Sequence, residues 1–150
     1  MNNRDSALGL RDSRLRPHQR LEVWQDAMDL VEAVYRFSSD FPDAERFALT
    51  VQIRRAAISI PSNMAEGAAR HSTQEYLHFL SIARGSLSEL DTQLQIAMRL
   101  GYAKPSQNLP DLVDRVFAKL NALIKSLSAS KPNSSVLPNP KSRIPNPHVG

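Results

Sequence analysis

The sequence predicts an all-α protein: an antiparallel up-down-up-down four-helix bundle with disordered N- and C-terminal tails. Apolar residues recur at spacings of four and three in four separate segments. Proline or glycine interrupts the pattern between them, and the interruptions are short, which favours antiparallel neighbours. The predicted divisions are a flexible basic arm over residues 1–20, the bundle over 21–128 and a proline-rich disordered tail over 129–150.

The first helix is predicted over residues 21–38, where two apolar stripes adjoin. One stripe is Trp24, Met28, Val31 and Tyr35, and the other is Ala27, Leu30, Val34 and Phe37. Together they make a face wider than one neighbouring helix covers. Phe41 and Pro42 then interrupt the pattern, and Asp43 is the predicted cap of the second helix.

The second helix, predicted over residues 44–69, is centred on QIRRAAISIPSNMAEG at 52–67. A polar arc separates two apolar strips, which are Ile53, Ala57, Ile60 and Met64 on one side and Ile58, Pro61 and Ala65 on the other. Because a solvent-facing side is missing, we expect both strips to find partners, one of them on another subunit. Wide apolar faces on the first two helices therefore predict a homo-oligomer.

Pro61 interrupts this second helix at a cost of about 3 kcal/mol or more. Two helices broken at the proline or one kinked helix would both fit. We favour one kinked helix, because the apolar spacing passes through Pro61 without a change of phase. Ser59 and Ser62 are expected to satisfy the freed backbone groups.

The third helix is predicted to begin at Ser72 or Thr73 with a capping box and to end at Gly101. Its stripe is Tyr76, Leu80, Ala83, Leu87, Leu90, Leu94 and Met98. Gly85 costs about 1 kcal/mol inside a helix, which predicts a close approach there. Gly67 either allows close helix packing or only precedes the fraying end. The fourth helix is predicted from Asn108, with Pro110 in its first turn.

Six polar residues of the second and third helices are expected to form a structural network between helices or across a subunit boundary. They are Gln52, Ser59, Asn63, Glu66, Ser86 and Glu89. Glu66 and Glu89 also invite an acid–base interpretation. Pairing with Arg54, Arg55, Arg84 or Asn63 is the stronger expectation, because buried carboxylates normally need such partners.

Charge is unevenly distributed along the chain. Of the total of +4, residues 1–20 carry +3, from five arginines against two aspartates, and residues 129–150 carry another +3. Residues 21–128 are left with −2, so the high isoelectric point says little about the bundle itself. The lack of cysteine and of any apolar leader or membrane span predicts a soluble cytoplasmic protein.

The motifs of common enzyme classes are missing. There is no phosphate-binding glycine loop, HExxH or cysteine nucleophile, so we expect no enzyme, cofactor or small-molecule substrate. His71, Glu75 and His78 have spacings that can suit a metal. His71, however, precedes the predicted cap, and no fourth ligand is near in sequence. Solvated polar residues, and no metal, are the expectation.

A resemblance is carried by QIRRAAISIPSNMAEG with Tyr76, Phe79, Ala83-Arg84-Gly85-Ser86 and Glu89-Leu90, and by Trp24, Phe41-Pro42, Glu45 and Leu100-Gly101-Tyr102. Over residues 21–128 the chain resembles the bacterial four-helix-bundle proteins encoded in intervening sequences of 23S rRNA genes. These are related to the accessory variability protein of diversity-generating retroelements. The resemblance implies a ring-like homopentamer, and the retroelement relatives imply contacts with RNA and a reverse transcriptase.

The expected function is therefore a non-catalytic oligomeric interaction module, an accessory scaffold for RNA or for a ribonucleoprotein such as a reverse transcriptase complex. Its candidate nucleic-acid-binding residues are Arg54, Arg55, Arg70 and Arg84. The alternative is a protein-only adaptor with no nucleic-acid role. No aromatic–basic interleaving supports base stacking.

Overall fold

The computed structural model describes residues 15–102, 104 and 108–130. Within them lie four α-helices and no strand: α1 (Glu22–Ser38), α2 (Leu49–Ala68), α3 (Thr73–Arg99) and α4 (Asn108–Ala129). Two short 3₁₀ helices, Pro17–Arg20 and Asp43–Glu45, precede α1 and α2. The predicted all-α four-helix fold is confirmed. The tail predictions for residues 1–14 and 131–150, and part of the last loop, lie outside the described residues.

Each helix packs against its neighbours in sequence, and α4 closes the arrangement by packing against α1. Contacts between α2 and α3 run in opposite directions along the two helices. Ser59 meets Ser86, whereas Gly67, further along α2, lies beside Phe79, earlier on α3. Antiparallel neighbours have this pattern, as the predicted up-down-up-down order requires.

The core is built from the predicted stripes. On α3, Leu80, Ala83, Leu87, Leu90 and Leu94 are all buried. They meet fully buried side chains of the other three helices, the largest of which are Leu30, Val34, Ile53, Ile60, Met64, Leu109, Val116 and Leu120. Lys119 Nζ of α4 lies 2.7 Å from Asp26 Oδ2 and 3.1 Å from Glu22 Oε2 of α1. These two ion pairs link α1 to α4.

Helix α2 passes through Pro61 without a break, as the apolar spacing predicted. Two side chains next to the proline bond carbonyls one turn back: Ser62 Oγ donates to Ile58 O at 2.8 Å, and Asn63 Nδ2 donates to Ser59 O at 2.8 Å. The prediction for Ser59 was wrong, because its hydroxyl bonds Ser86 on α3 instead.

The start of α2 differs from the prediction. The helix begins at Leu49, and Asp43 belongs to the preceding 3₁₀ helix rather than capping α2. The carboxylate of Glu45 explains the later start, because its Oε2 accepts the Leu49 N–H at 3.2 Å and so satisfies one of the free donors of the first turn. Its Oε1 accepts the Tyr102 hydroxyl at 2.8 Å.

Both ends of α3 follow the sequence signals. The Ser72 side chain accepts the Glu75 N–H at 3.1 Å, as an N-cap does. At the other end Gly101 takes the left-handed conformation with φ of 70°. Its N–H bonds Met98 O, and the Tyr102 N–H bonds Ala97 O, which together form a Schellman motif.

The predicted arm over residues 1–20 is wrong for its last four residues. Pro17–Arg20 form a 3₁₀ helix that packs against α1 and α2. The His18 ring lies edge-on to Trp24 with 5.3 Å between centroids, and Gln25 Nε2 donates to Gln19 O at 3.0 Å. The folded part of the chain therefore begins before residue 21.

The close approach predicted at Gly85 is absent, and it occurs at Gly67 instead. A Cβ built on Gly85 would have no neighbour within 4 Å. A Cβ on Gly67 would lie 2.8 Å from Phe79 Cβ and 2.9 Å from Tyr76 Cδ2. Of the two interpretations of Gly67, close packing of α2 on α3 is therefore the correct one.

Tyr102 connects the two loops at one end of the bundle. Its hydrogen bond to Glu45, with burial and the charge of that carboxylate, raises the pKa of the phenol above the ordinary 10.0. The folded protein therefore holds this proton more tightly than the unfolded chain does. The contribution to stability is complete below pH 10 and is lost as the pH rises through the folded-state pKa.

We expect Tyr102→Phe to lower the free energy of unfolding at neutral pH, because the hydrogen bond to Glu45 is lost. The loss of stability above pH 10 should also become smaller, because phenylalanine has no phenolic proton to release. The free energy of unfolding in denaturant, measured across this range, tests the prediction. Tyr35→Phe is the control, since the Tyr35 hydroxyl has no hydrogen-bond partner in the described part of the chain. An unchanged alkaline slope in Tyr102→Phe would contradict the assignment.

Candidate interaction surfaces

A short polar seam lies between α2 and α3. The hydroxyls of Ser59 and Ser86 are 2.8 Å apart, and Asn63 Nδ2 donates to Ser59 Oγ at 2.9 Å. All three side chains are half-buried, so each bond replaces water that packing has removed. Three of the six predicted network residues are thus brought together by the antiparallel contact of the two helices.

The other three predicted members do not join this seam. Glu66 pairs with Arg70 at 2.9 Å, Glu89 accepts a hydrogen bond from Gln93 at 3.1 Å, and Gln52 is exposed. Glu66 lies seven residues past Ser59 on α2, and Glu89 lies three residues past Ser86 on the antiparallel α3. The two carboxylates are therefore roughly 15 Å apart along the bundle axis. They are too distant to share a proton, so the acid–base interpretation was wrong.

Arg54 is held between α1 and α2 by uncharged partners. Its guanidinium lies over the Tyr35 ring, 4.5 Å from the centroid, and its Nε donates to Ser38 Oγ at 2.8 Å. Ser38 is buried, with 2% exposed, and its hydroxyl donates in turn to Tyr35 O. No carboxylate lies within 4 Å of Arg54 in the described residues, so the acidic partner expected for it was wrong.

The four candidate arginines do not form one surface. Arg54 faces α1, Arg70 pairs with Glu66 and lies 4.9 Å from the Phe79 ring centroid, and Arg84 Nη1 donates to Asn121 of α4 at 3.3 Å. Arg55 is exposed and makes no ion pair within the described chain. Each of the other three is thus directed to a different neighbour.

An apolar groove runs between α1 and α2, with a volume of about 320 Å³. It is lined by Trp24, Met28, Val31, Ile58, Pro61 and Ala65, with Ser62 as its polar member. This α1–α2 groove contains the second apolar strip of α2, and its Ile58 is exposed. The first strip, from Ile53 to Met64, is fully buried. Within the second strip Pro61 is buried and Ala65 half-buried, so one copy of the chain covers this strip only in part.

The comparison with known families bears on all of these surfaces. The family model described as 23S rRNA-intervening sequence protein matches residues 19–122, from the first 3₁₀ helix into α4. The chain belongs to this family. No curated protein matches it. The match to the 23S rRNA-intervening sequence family confirms the resemblance that QIRRAAISIPSNMAEG carries, and it spans the groove, the seam and the four arginines.

The described part of this intervening-sequence protein offers neither a cluster of metal ligands nor a membrane-spanning helix. In residues 15–102, 104 and 108–130, no three acidic, histidine or cysteine side chains are arranged to hold a metal ion. His71, Glu75 and His78 are exposed, and Glu75 is engaged by the Ser72 cap. None of the described helices has the length and hydrophobicity needed to cross a membrane.

Sequence reasoning missed the Tyr35–Ser38–Arg54 cluster. The helical spacing does place Ile82 and Ile96 in one mixed strip of α3, and the structure leaves both isoleucines exposed. The cluster had no such signal in the sequence. Arg54 is sixteen or more residues from Ser38 and Tyr35 in the sequence. Only the packing of α1 against α2 shows that these three side chains meet.

Proposed function

We propose that this member of the 23S rRNA-intervening sequence family is a non-catalytic oligomeric module that accompanies RNA or a ribonucleoprotein such as a reverse transcriptase complex. The observation that carries the proposal is the apolar surface that one copy leaves exposed in the α1–α2 groove, including Met28 and Ile58. Apolar side chains clustered on a bundle surface mark a site of protein contact. The resemblance makes a homopentamer the expected assembly.

The proposed RNA contacts come from dispersed positive charge. Each terminal segment of the sequence carries +3, and the bundle adds Arg55, which is exposed and unpaired in the described chain. An oligomer repeats these charges in every copy, so that weak phosphate contacts gain avidity. Arg70 and Arg84 can add to this only by exchanging their present partners Glu66 and Asn121.

The assembly is tested by light scattering of the full chain at micromolar concentration. We expect a mass several times the protomer mass of 16.7 kDa, and five times for the pentamer. A mass equal to that of one protomer across this concentration range would rule out the oligomeric part of the proposal.

RNA binding is tested separately, by fluorescence anisotropy of a structured RNA hairpin between about 50 and about 200 mM salt. We expect affinity to fall steeply with salt, and the slope to fall when Arg4, Arg11 and Arg14 are replaced by serine together. Arg36→Ser is the control, because Arg36 pairs with Glu32 on α1. Undetectable binding at low salt would reject the RNA role.

A protein-only adaptor is the second candidate. It is favoured by the charge of −2 over residues 21–128 and by the separation of the four arginines. Both candidates are oligomers, but only the RNA module is expected to bind the RNA hairpin with an affinity that falls with salt. An oligomer that binds no RNA would select the adaptor.

A further inference from the structure

We infer that copies of this chain join head to tail, the outer ridge of α3 in one copy docking into the α1–α2 groove of the next, with Glu89 paired to Arg54. The α3 ridge is the exposed line Ile82, Glu89 and Ile96. The inference rests on the proposed oligomerisation and adds the two surfaces and the charge pair that form the contact.

The groove supplies an apolar surface with a positive charge at one end. On α1, Tyr35 lies one turn beyond Val31, and on α2, Arg54 lies one turn before Ile58. The Arg54–Tyr35 pair therefore continues the groove. Stacking and the Ser38 bond fix the guanidinium while leaving both Nη groups without a protein partner in the described chain. A fixed, half-buried arginine of this kind is ready to bind a carboxylate.

The ridge supplies the matching features. Residues 82, 89 and 96 are spaced by seven, which is close to two turns, so they lie on one face of α3. Both isoleucines are exposed. Glu89 accepts a hydrogen bond only from the Gln93 amide, and no basic group lies within 4 Å of it in the described residues. The ridge therefore carries an unpaired negative charge between two apolar side chains.

The spacings of the two surfaces agree. Glu89 is seven residues from either isoleucine, about 10.5 Å along α3. Arg54 is likewise seven residues from Pro61, about 10.5 Å along α2 and within the groove. When Glu89 meets Arg54, one isoleucine of the ridge therefore reaches the groove beside Pro61. Charge and apolar surface are then matched at the same time, with α3 running in either direction along the groove.

A contact between two different surfaces has consequences for assembly. Groove and ridge lie on different helices, so each copy can offer its groove to one neighbour and its ridge to another. Such heterologous contacts close into a ring or continue as a filament. The proposed pentamer is one ring of this type.

The inference is tested by charge reversal in the full chain. Arg54→Glu and Glu89→Arg place like charges in the contact, and each is expected to reduce the light-scattering mass to that of one protomer. The double variant Arg54→Glu/Glu89→Arg restores opposite charges and is expected to recover the wild-type mass. Arg55→Glu is the matched control, because this neighbouring exposed arginine lies outside the contact and should leave the mass unchanged.

An equimolar mixture of the two single variants gives a second measurement. In it the Arg54→Glu groove faces the Glu89→Arg ridge, and native Arg54 faces native Glu89, so larger assemblies are expected to return. A ring with an odd number of copies keeps one like-charged contact in the mixture. Circular dichroism checks that every variant retains its helices.

The outcomes separate this inference from the proposed function. A monomeric wild-type chain would remove both. An oligomeric wild type whose mass survives both single reversals would keep the oligomer and overturn this interface. Dissociation in the single variants without recovery in either the double variant or the mixture would overturn the Arg54–Glu89 pairing.

Discussion

Phe37→Ala is expected to lower the free energy of unfolding by about 3–5 kcal/mol. Phe37 is only 6% exposed at the end of α1, and its ring meets Phe41 edge-on with 5.3 Å between centroids. Removing the ring loses its burial and leaves a cavity that the neighbouring residues of α3 and α4 cannot fully close. Equilibrium denaturation in urea at one protein concentration measures the change.

Phe47→Ala is the matched control for this prediction. Phe47 lies ten residues later in the α1–α2 connection and is 87% exposed, so its removal should change stability by no more than about 0.5 kcal/mol. Similar losses in the two variants would mean that Phe47 is buried in the protein in solution. A small loss in Phe37→Ala would contradict the core described above.

Gly67→Ala is expected to destabilise the protein by about 1–3 kcal/mol. The added Cβ would lie 2.8 Å from Phe79 Cβ and 3.2 Å from the Tyr76 carbonyl oxygen. Neither atom is the free end of a flexible side chain, so α2 and α3 must move apart. This cost exceeds the modest helix-propensity gain of alanine over glycine.

Gly85→Ala is the paired control, and its expected effect has the opposite sign. It adds the same methyl group inside the neighbouring helix, where nothing lies within 4 Å. Within one copy, only the difference in helix propensity remains, so the stability of the protomer should rise by up to about 1 kcal/mol. Thermal and urea unfolding of both variants, at one protein concentration, compare them directly. A stabilised Gly67→Ala would show that the helices are not in close contact there.

Much of the fold could be predicted because it depends on local periodicity. The stripe of α3 identified its buried face, since the spacing alone decides which residues share a side of a helix. Ser72 and Gly101 marked the ends of α3 for an equally local reason, because both satisfy backbone groups of the adjacent turn. The continuity of α2 through Pro61 followed from the unbroken phase of its apolar residues.

The candidate surfaces were less predictable. Within one copy, only Ser59, Asn63 and Ser86 of the six predicted network residues meet, because they lie at one level of the antiparallel pair. Placing Glu66 and Glu89 required the register between α2 and α3, which no local pattern encodes. The same register decided that Gly67 rather than Gly85 is crowded.

The amino-acid sequence alone determined four helices, their buried faces and the membership of a family, because these depend on the order of residues along one chain. The tertiary structure decided which polar side chains meet, which glycine is crowded and which apolar residues remain exposed. Those properties depend on distances between helices. Arg54 shows the difference: its charge can be read from the sequence, whereas its fixed position over Tyr35, without a carboxylate partner in the described chain, exists only when α1 and α2 pack together.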